Sequence, residues 1–343
     1  MPKKKKNLFA DYFVSWFETY KKDSLRKVTK DKYEIMRKQI ADSELGNTPI
    51  DKVTRKVAQK YIDDYGKTHR KKTAYDNRAR LKACMADAVI DGYAKSNPFQ
   101  RVEVKYMDQT FTTQQLMDLR DKKKTLTMSE YNQFKIFLEF TIKGFLKKEP
   151  TISWNQKKRV GVCKQIQLVI IYVALKTGMR YSEILGLTWK DINFDNKEIN
   201  VNKTWGYKNN YGIDFEMTKN LGSIRKVPVD EKSLEFIVSF KEWQKDKKVE
   251  TEKNTLFIEK GKRHFNSTIN RDLETLLKSC HIEPITIHKL RHTHASILLA
   301  QGIDANVVAK RLGHSDTSMI QRVYGHVIEE REEEDNERIM QLL

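Results

Sequence analysis

A chain of 343 residues, 39% hydrophobic and 32% charged, is long enough to bury two cores. Its three cysteines, Cys84, Cys163 and Cys280, stand far apart and form no C-x-x-C pair, which argues against a disulfide framework or a cysteine zinc site. The formal charge of +19 and a pI near 9.5 point to a polyanionic partner.

That charge is unevenly spread. Residues 1–110 hold 26 Lys/Arg against 15 Asp/Glu, residues 111–328 hold 37 against 24, and the last fifteen hold 2 against 7. Two basic bodies and an acidic tail are expected. The N-terminal MPKKKKN reads as a phosphate-attracting arm, with a nuclear localisation signal as the alternative. LVIIYVAL (168–175) is the longest apolar run and is well short of the roughly 18 residues a membrane span needs. No secretory signal is present, so a cytoplasmic protein is expected.

In chain order, LFADYFVSWFETYKK spaces Phe9, Phe13, Trp16, Phe17 and Tyr20 at three- and four-residue intervals, the pattern of an amphipathic helix. A second helix is expected after Thr29, a third over TRKVAQKYIDDYG ending at Gly66, and a fourth from TAYDNRAR to a stop before Asn97-Pro98. SNPFQRVEVKYMDQT (96–110) has no helical period and reads as an interdomain linker. A second helical body starts at FTTQQLMDLR, followed by a basic segment (147–159) and the apolar helix KQIQLVIIYVALKT. RYSEILGLTWKDI reads as another helix. Alternating INVNKTW, IDFEM and RKVPV then predict one three-stranded antiparallel sheet. Helices resume at STINRDLETLLKSC. The fold class is therefore mainly α with a small antiparallel β-sheet: a four-helix domain over 1–95, the linker 96–110, an α+β body over 111–328 and a tail over 329–343.

Four places carry polar groups that a purely structural helix does not need. In TGMRYSEIL, Arg180 follows a glycine, and Glu183 three residues on can hold its guanidinium while leaving the fork free for an anion. In TIHKLRHTHASILL, His288 and Arg291 share a helical face. His288 and His292 have the i, i+4 spacing of a helical metal pair, but no Glu lies between them and no third ligand is near, so no metal is expected and His292 reads as a buried structural histidine. In LGHSDTSMIQRVYGH, Gly313 ends a helix and presents His314, Asp316 and Thr317 can cap the next helix, and Tyr324 lies on it. Taken alone, Tyr324 is an ordinary core aromatic, and His326 its structural neighbour. In EMTKNLGSIRKVPV, Lys219 sits at a strand end beside a tight turn.

In order, Arg180, Lys219, His288-x-x-Arg291, His314 and Tyr324 closely resemble the tyrosine recombinase (phage integrase) family, whose members include integrases of phages and conjugative transposons. TGMRYSEILGL, the hairpin lysine, HKLRHTHAS and LGHSDTSMIQRVYGH carry the resemblance; the NPF and FTTQQL stretches extend it over nearly the whole chain. The resemblance implies a core-site DNA-binding domain followed by a catalytic domain, clamping duplex DNA. It implies that Arg180, Arg291 and His314 stabilise the phosphate and that Tyr324 attacks phosphorus to form a 3′-phosphotyrosyl link. His288 would serve as general base and Lys219 as general acid, with Lys226 the rival for that role. No cofactor, metal or ATP is implied. The partners implied are double-stranded attachment sites, a homotetramer closed by exchange of the 329–343 tail, and an accessory DNA-bending or directionality protein. The setting implied is DNA-associated in the bacterial cytoplasm. A separate arm-binding domain ahead of residue 1 is either absent or removed. The alternatives are a chromosome-dimer resolvase, a type IB topoisomerase-like enzyme, or a DNA-binding regulator without catalysis.

Overall fold

The computed structural model describes residues 7–25, 27–113, 115, 125–146, 162–207, 214–218, 221–314 and 340. The chain divides into two compact units, 1–122 and 123–343.

The aromatic stripe of the first helix organises the first unit. Helix α1 (Phe9–Trp16) runs on through one π turn, Phe17–Lys21. It buries Phe9, Phe13, Trp16 and Phe17 against Tyr33, Met36 and Ile40 of α2 (Lys27–Ala41). The Phe17 and Tyr33 rings stack at 5.0 Å. Each such side chain contributes about 1.5–3 kcal/mol by leaving water. Helix α3 (Arg55–Gly66) begins where the Thr54 hydroxyl accepts the Val57 N–H at 3.3 Å. Helix α4 (Lys71–Ile90) adds Leu81, Cys84, Met85 and Ala88 to the core. The four expected helices are all present, α2 starting slightly earlier than expected. The aperiodic stretch 96–110 lies within this unit. Phe99 and Val102 are buried in its core, and Arg78 donates to the carbonyls of Phe99 (3.2 Å) and Gln100 (2.9 Å).

In the second unit, α5 (Met128–Leu146) and α6 (Val162–Thr177) pack together. Every residue of α6 from Val169 to Leu175 is buried, as expected of a helix that is apolar all round. The expected long helix over RYSEILGLTWKDI is shorter: α7 covers only Tyr181–Leu185. Thr188 and Asp191 close a separate turn, the Thr188 N–H and hydroxyl both donating to Asp191 Oδ2 at 2.7 and 2.6 Å.

The strands form two small antiparallel sheets where one was expected. In the first, β2 (Glu198–Val201) pairs with β1 (Ile192–Asn193) and with β5 (Arg225–Pro228); in the second, β3 (Lys203–Trp205) pairs with β4 (Phe215–Met217). INVNKTW divides at Asn202, whose side-chain amide donates to Asp191 at 3.3 Å, so its two halves serve different sheets. Val201 lies opposite Arg225, and Trp205 opposite Phe215. Helices α8 (Glu231–Asp246), α9 (Asn266–Ser279), α10 (Ile287–Ala300) and α11 (Ala305–Leu312) complete the described fold. Among the described residues no helix is long and apolar enough to cross a membrane.

Candidate active site

Two helix ends and one helix face make the site. Helix α6 ends at Gly178, which takes φ +64°; a Cβ there would lie 2.8 Å from both His294 Cδ2 and Leu312 Cδ2. Positive φ and the close approach of two side chains both require glycine. Helix α11 ends at Gly313 (φ +67°, left-handed), the expected C-terminal glycine. Between them stands α10, with Arg291 buried on its inner face.

Arg291 joins the two ends. Its Nη1 donates to Gly178 O at 2.9 Å and its Nη2 to Leu312 O at 2.5 Å. Carbonyls in the last turn of a helix lack intrahelical partners and carry the negative end of its dipole, so a guanidinium is well placed on Leu312 O. Arg291 Nη2 also lies 3.0 Å from His314 Nε2. A guanidinium is only ever a donor, so Nε2 accepts and the ring proton of His314 sits on Nδ1. Burial first, then the charges of Arg291 and Arg180, push His314 down to about 4, which keeps the ring neutral.

Arg180 is the N-cap of α7 rather than a residue of its helical face. Its backbone N–H donates to Glu183 Oε2 at 2.9 Å and its Nη1 to Glu183 Oε1 at 2.8 Å. Its Nη2 reaches towards Gly313 O at 3.5 Å, so both arginines approach the turn that carries His314. Glu183 is buried. Burial pushes its carboxyl up, but the charge and hydrogen bonds of Arg225, then those of Arg180, override this and hold it below the usual carboxylate range.

His288 is exposed in the first turn of α10, one helical turn before Arg291. Its ring meets that of His292 edge-on, with centroids 5.3 Å apart. His292, expected as the buried structural histidine, is only half-buried; burial and then the neighbouring His288 and Lys289 push it down to about 4. The structural role belongs to His294, because position 294 faces α6 while position 292 turns outward with His288. His294 Nδ1 donates to Leu175 O at 3.2 Å and Nε2 accepts from Arg311 Nε at 2.9 Å. Burial, then Arg311, pushes it down to about 3.

Lys219, Tyr324, His326, the capping pair Asp316 and Thr317, and the tail apart from Met340 lie outside the described residues. Lys226, the rival to Lys219, sits on the surface in an ion pair with Glu198 at 3.2 Å. Its neighbour Arg225 faces inward and reaches Glu183, which strand alternation with buried Val227 signals in the sequence. The sequence reading did not single out Arg225, His294 or Arg311. Among the described residues no group of three or more His, Cys, Asp or Glu could hold a metal ion. Cys84 and Cys280 are buried free thiols.

A family model described as "Phage integrase family" matches residues 159–331, and one described as "Phage integrase, N-terminal SAM-like domain" matches residues 8–66. The ICEBs1 integrase of Bacillus subtilis (strain 168) is 32% identical over 206 residues, which is 54% of this chain and 53% of that protein. The integrase of Staphylococcus phage L54a is 25% identical over 338 residues, 96% of this chain and 91% of that protein. The chain thus spans about half the length of the first relative and nearly all of the second. Among solved structures, the Tn1549 transposon integrase in complex with transposon right end DNA superposes with a TM-score of 0.71 at 23% identity, covering 97% of this chain and 99% of that one. This likeness is one of fold.

Proposed function

The chain belongs to the phage integrase family, the tyrosine recombinases, and from that premise we propose that it cuts and rejoins DNA at the attachment sites of a mobile element. The observation that carries the reading is the approach of two guanidinia, Arg180 and Arg291, to the Leu312–Gly313–His314 turn, ten residues before Tyr324. A scissile phosphodiester bound at that turn would meet positive charge on its non-bridging oxygens, where negative charge grows as phosphorus becomes five-coordinate. The Tyr324 oxygen forms the new bond to phosphorus and the bond to the 5′ oxygen breaks. His288 takes the phenol proton and Lys219 returns one to the leaving oxygen. His314 donates a further hydrogen bond to the phosphate from its protonated ring nitrogen, Nδ1. The 3′-phosphotyrosyl link keeps the energy of the broken bond, so a 5′-hydroxyl of a partner duplex restores DNA without ATP or metal. In this reading residues 1–95, with the stretch 96–110 packed on them, grip the core site, 111–328 catalyse, and 329–343 pass to a neighbour in a homotetramer. An accessory bending or directionality protein sets the outcome, in the bacterial cytoplasm.

The test is a nicked suicide duplex carrying an attachment site. The native chain is expected to form a covalent protein–DNA adduct in EDTA, and Tyr324→Phe to form none while still binding the duplex. DNA binding without any adduct from the native chain would replace this reading with that of a regulator.

A further inference from the structure

Resting on the recombinase reading, we propose that Arg225 is a positioning residue of the cleavage site, holding Glu183 and the His314 turn so that Arg180 presents an uncancelled charge to the phosphate. Arg225 itself is committed inside the protein. Its Nη2 donates to Glu183 Oε2 at 3.0 Å, its Nη1 to Glu183 Oε1 at 3.3 Å and to Ser223 O at 3.0 Å, and its Nε to Arg311 O at 2.6 Å. Its side chain is 5% exposed and its Nε, Nη1 and Nη2 all donate within the protein, two of them to a carboxylate, so it is committed to Glu183 rather than to substrate. Of the two guanidinia on Glu183, Arg180 is the open one, at 28% exposed.

Two consequences follow from the charges and the shape. A single carboxylate here serves two guanidinia, leaving one net positive charge; with Arg225 neutral, Glu183 would cancel Arg180 and the phosphate would meet a weaker field. The same guanidinium also braces the turn: a Cβ on Gly313 would come within 2.9 Å of Arg225 Nη1. Arg225 begins β5, six residues after Lys219, so one side chain links the strand following the candidate general acid, the carboxylate behind Arg180 and the turn before Tyr324.

The experiment measures single-turnover cleavage of the suicide duplex and, separately, duplex affinity, for Arg225→Lys and Arg225→Gln. Arg225→Gln is expected to cleave about 100-fold more slowly with its Kd within about threefold of native, and Arg225→Lys, which keeps the charge and loses the fork, about 10-fold more slowly. On a duplex whose scissile phosphate is an uncharged methylphosphonate, the defect of Arg225→Gln should shrink to within about threefold, because the neutral centre no longer needs the field of Arg180. A defect of Arg225→Gln equal on both duplexes, or native cleavage by either variant, overturns the inference. If Arg225→Gln does not fold, Arg225→Lys carries the test through its cleavage rate on the natural duplex. Absence of adduct from the native chain would overturn the recombinase reading and this inference together; native adduct with an unimpaired Arg225→Lys overturns the inference alone.

Discussion

Around Trp16 and Phe13 in the first unit, charge reaches only the edge of the core, where the indole N–H donates to Asp87 at 2.6 Å. In the second unit Glu183, Arg225 and Arg291 lie inside, joined to one another or to the carbonyls of two helix ends. Removing one side chain from an aromatic core costs its transfer free energy and a cavity but leaves no charge stranded. A buried charged cluster is stable only when complete, because each ion has given up its hydration and any member left alone bears that cost uncompensated. In the proposed reaction the second arrangement would serve an anion: a charge already dehydrated and aimed needs no rearrangement as the reaction proceeds.

Breaking the cluster at its centre tests this most severely. Glu183→Gln keeps the shape and removes the charge between two guanidinia, and is expected to cost about 3–5 kcal/mol in urea unfolding. A loss similar to that of a surface substitution would show that solvent already reaches the cluster. Acid is the next lever. His294 and His264 are buried with their ring pKa values pushed down, mainly by burial, to about 3 and about 4. The unfolded chain binds their protons near pH 6.5 and the folded chain does not, so their contribution is complete above 6.5 and is lost as pH falls towards 4. Stability should drop by about 2 kcal/mol per histidine between pH 6.5 and 5, and His294→Gln should flatten the slope of melting temperature against pH.

Gly313→Ala puts a side chain at positive φ against Arg225, and about 1–3 kcal/mol of stability should go, with a cleavage defect larger than the same loss of stability produces elsewhere. Thermal melting beside adduct formation reads both. At the mild end, the exposed pair Lys60–Glu44, 2.6 Å apart in the first unit, should be dispensable: Lys60→Ala is expected to leave the melting temperature within about 1 °C. A larger shift would mean that charge matters structurally in the first unit too.

The helices were legible because their signal is local. The 3.6-residue period of α1, the all-apolar run of α6, and the glycine ending α11 depend on neighbours a few residues away, and so does the Arg180–Glu183 pair. The order of polar residues in TGMR, HKLRH and LGH was legible for the same reason. Partners distant in sequence were not. Arg225 meets Glu183 across 42 residues and the carbonyl of Arg311 across 86; strand alternation turns Arg225 inward but names neither partner. His294 displaced His292 as the buried histidine because α6 packs on one side of α10, and INVNKTW split between two sheets because Asn202 turns to Asp191. Residue type and spacing thus decided which chemistry the chain carries. Packing decided which charges face each other, since burial and electrostatic field depend on distance in space rather than along the chain.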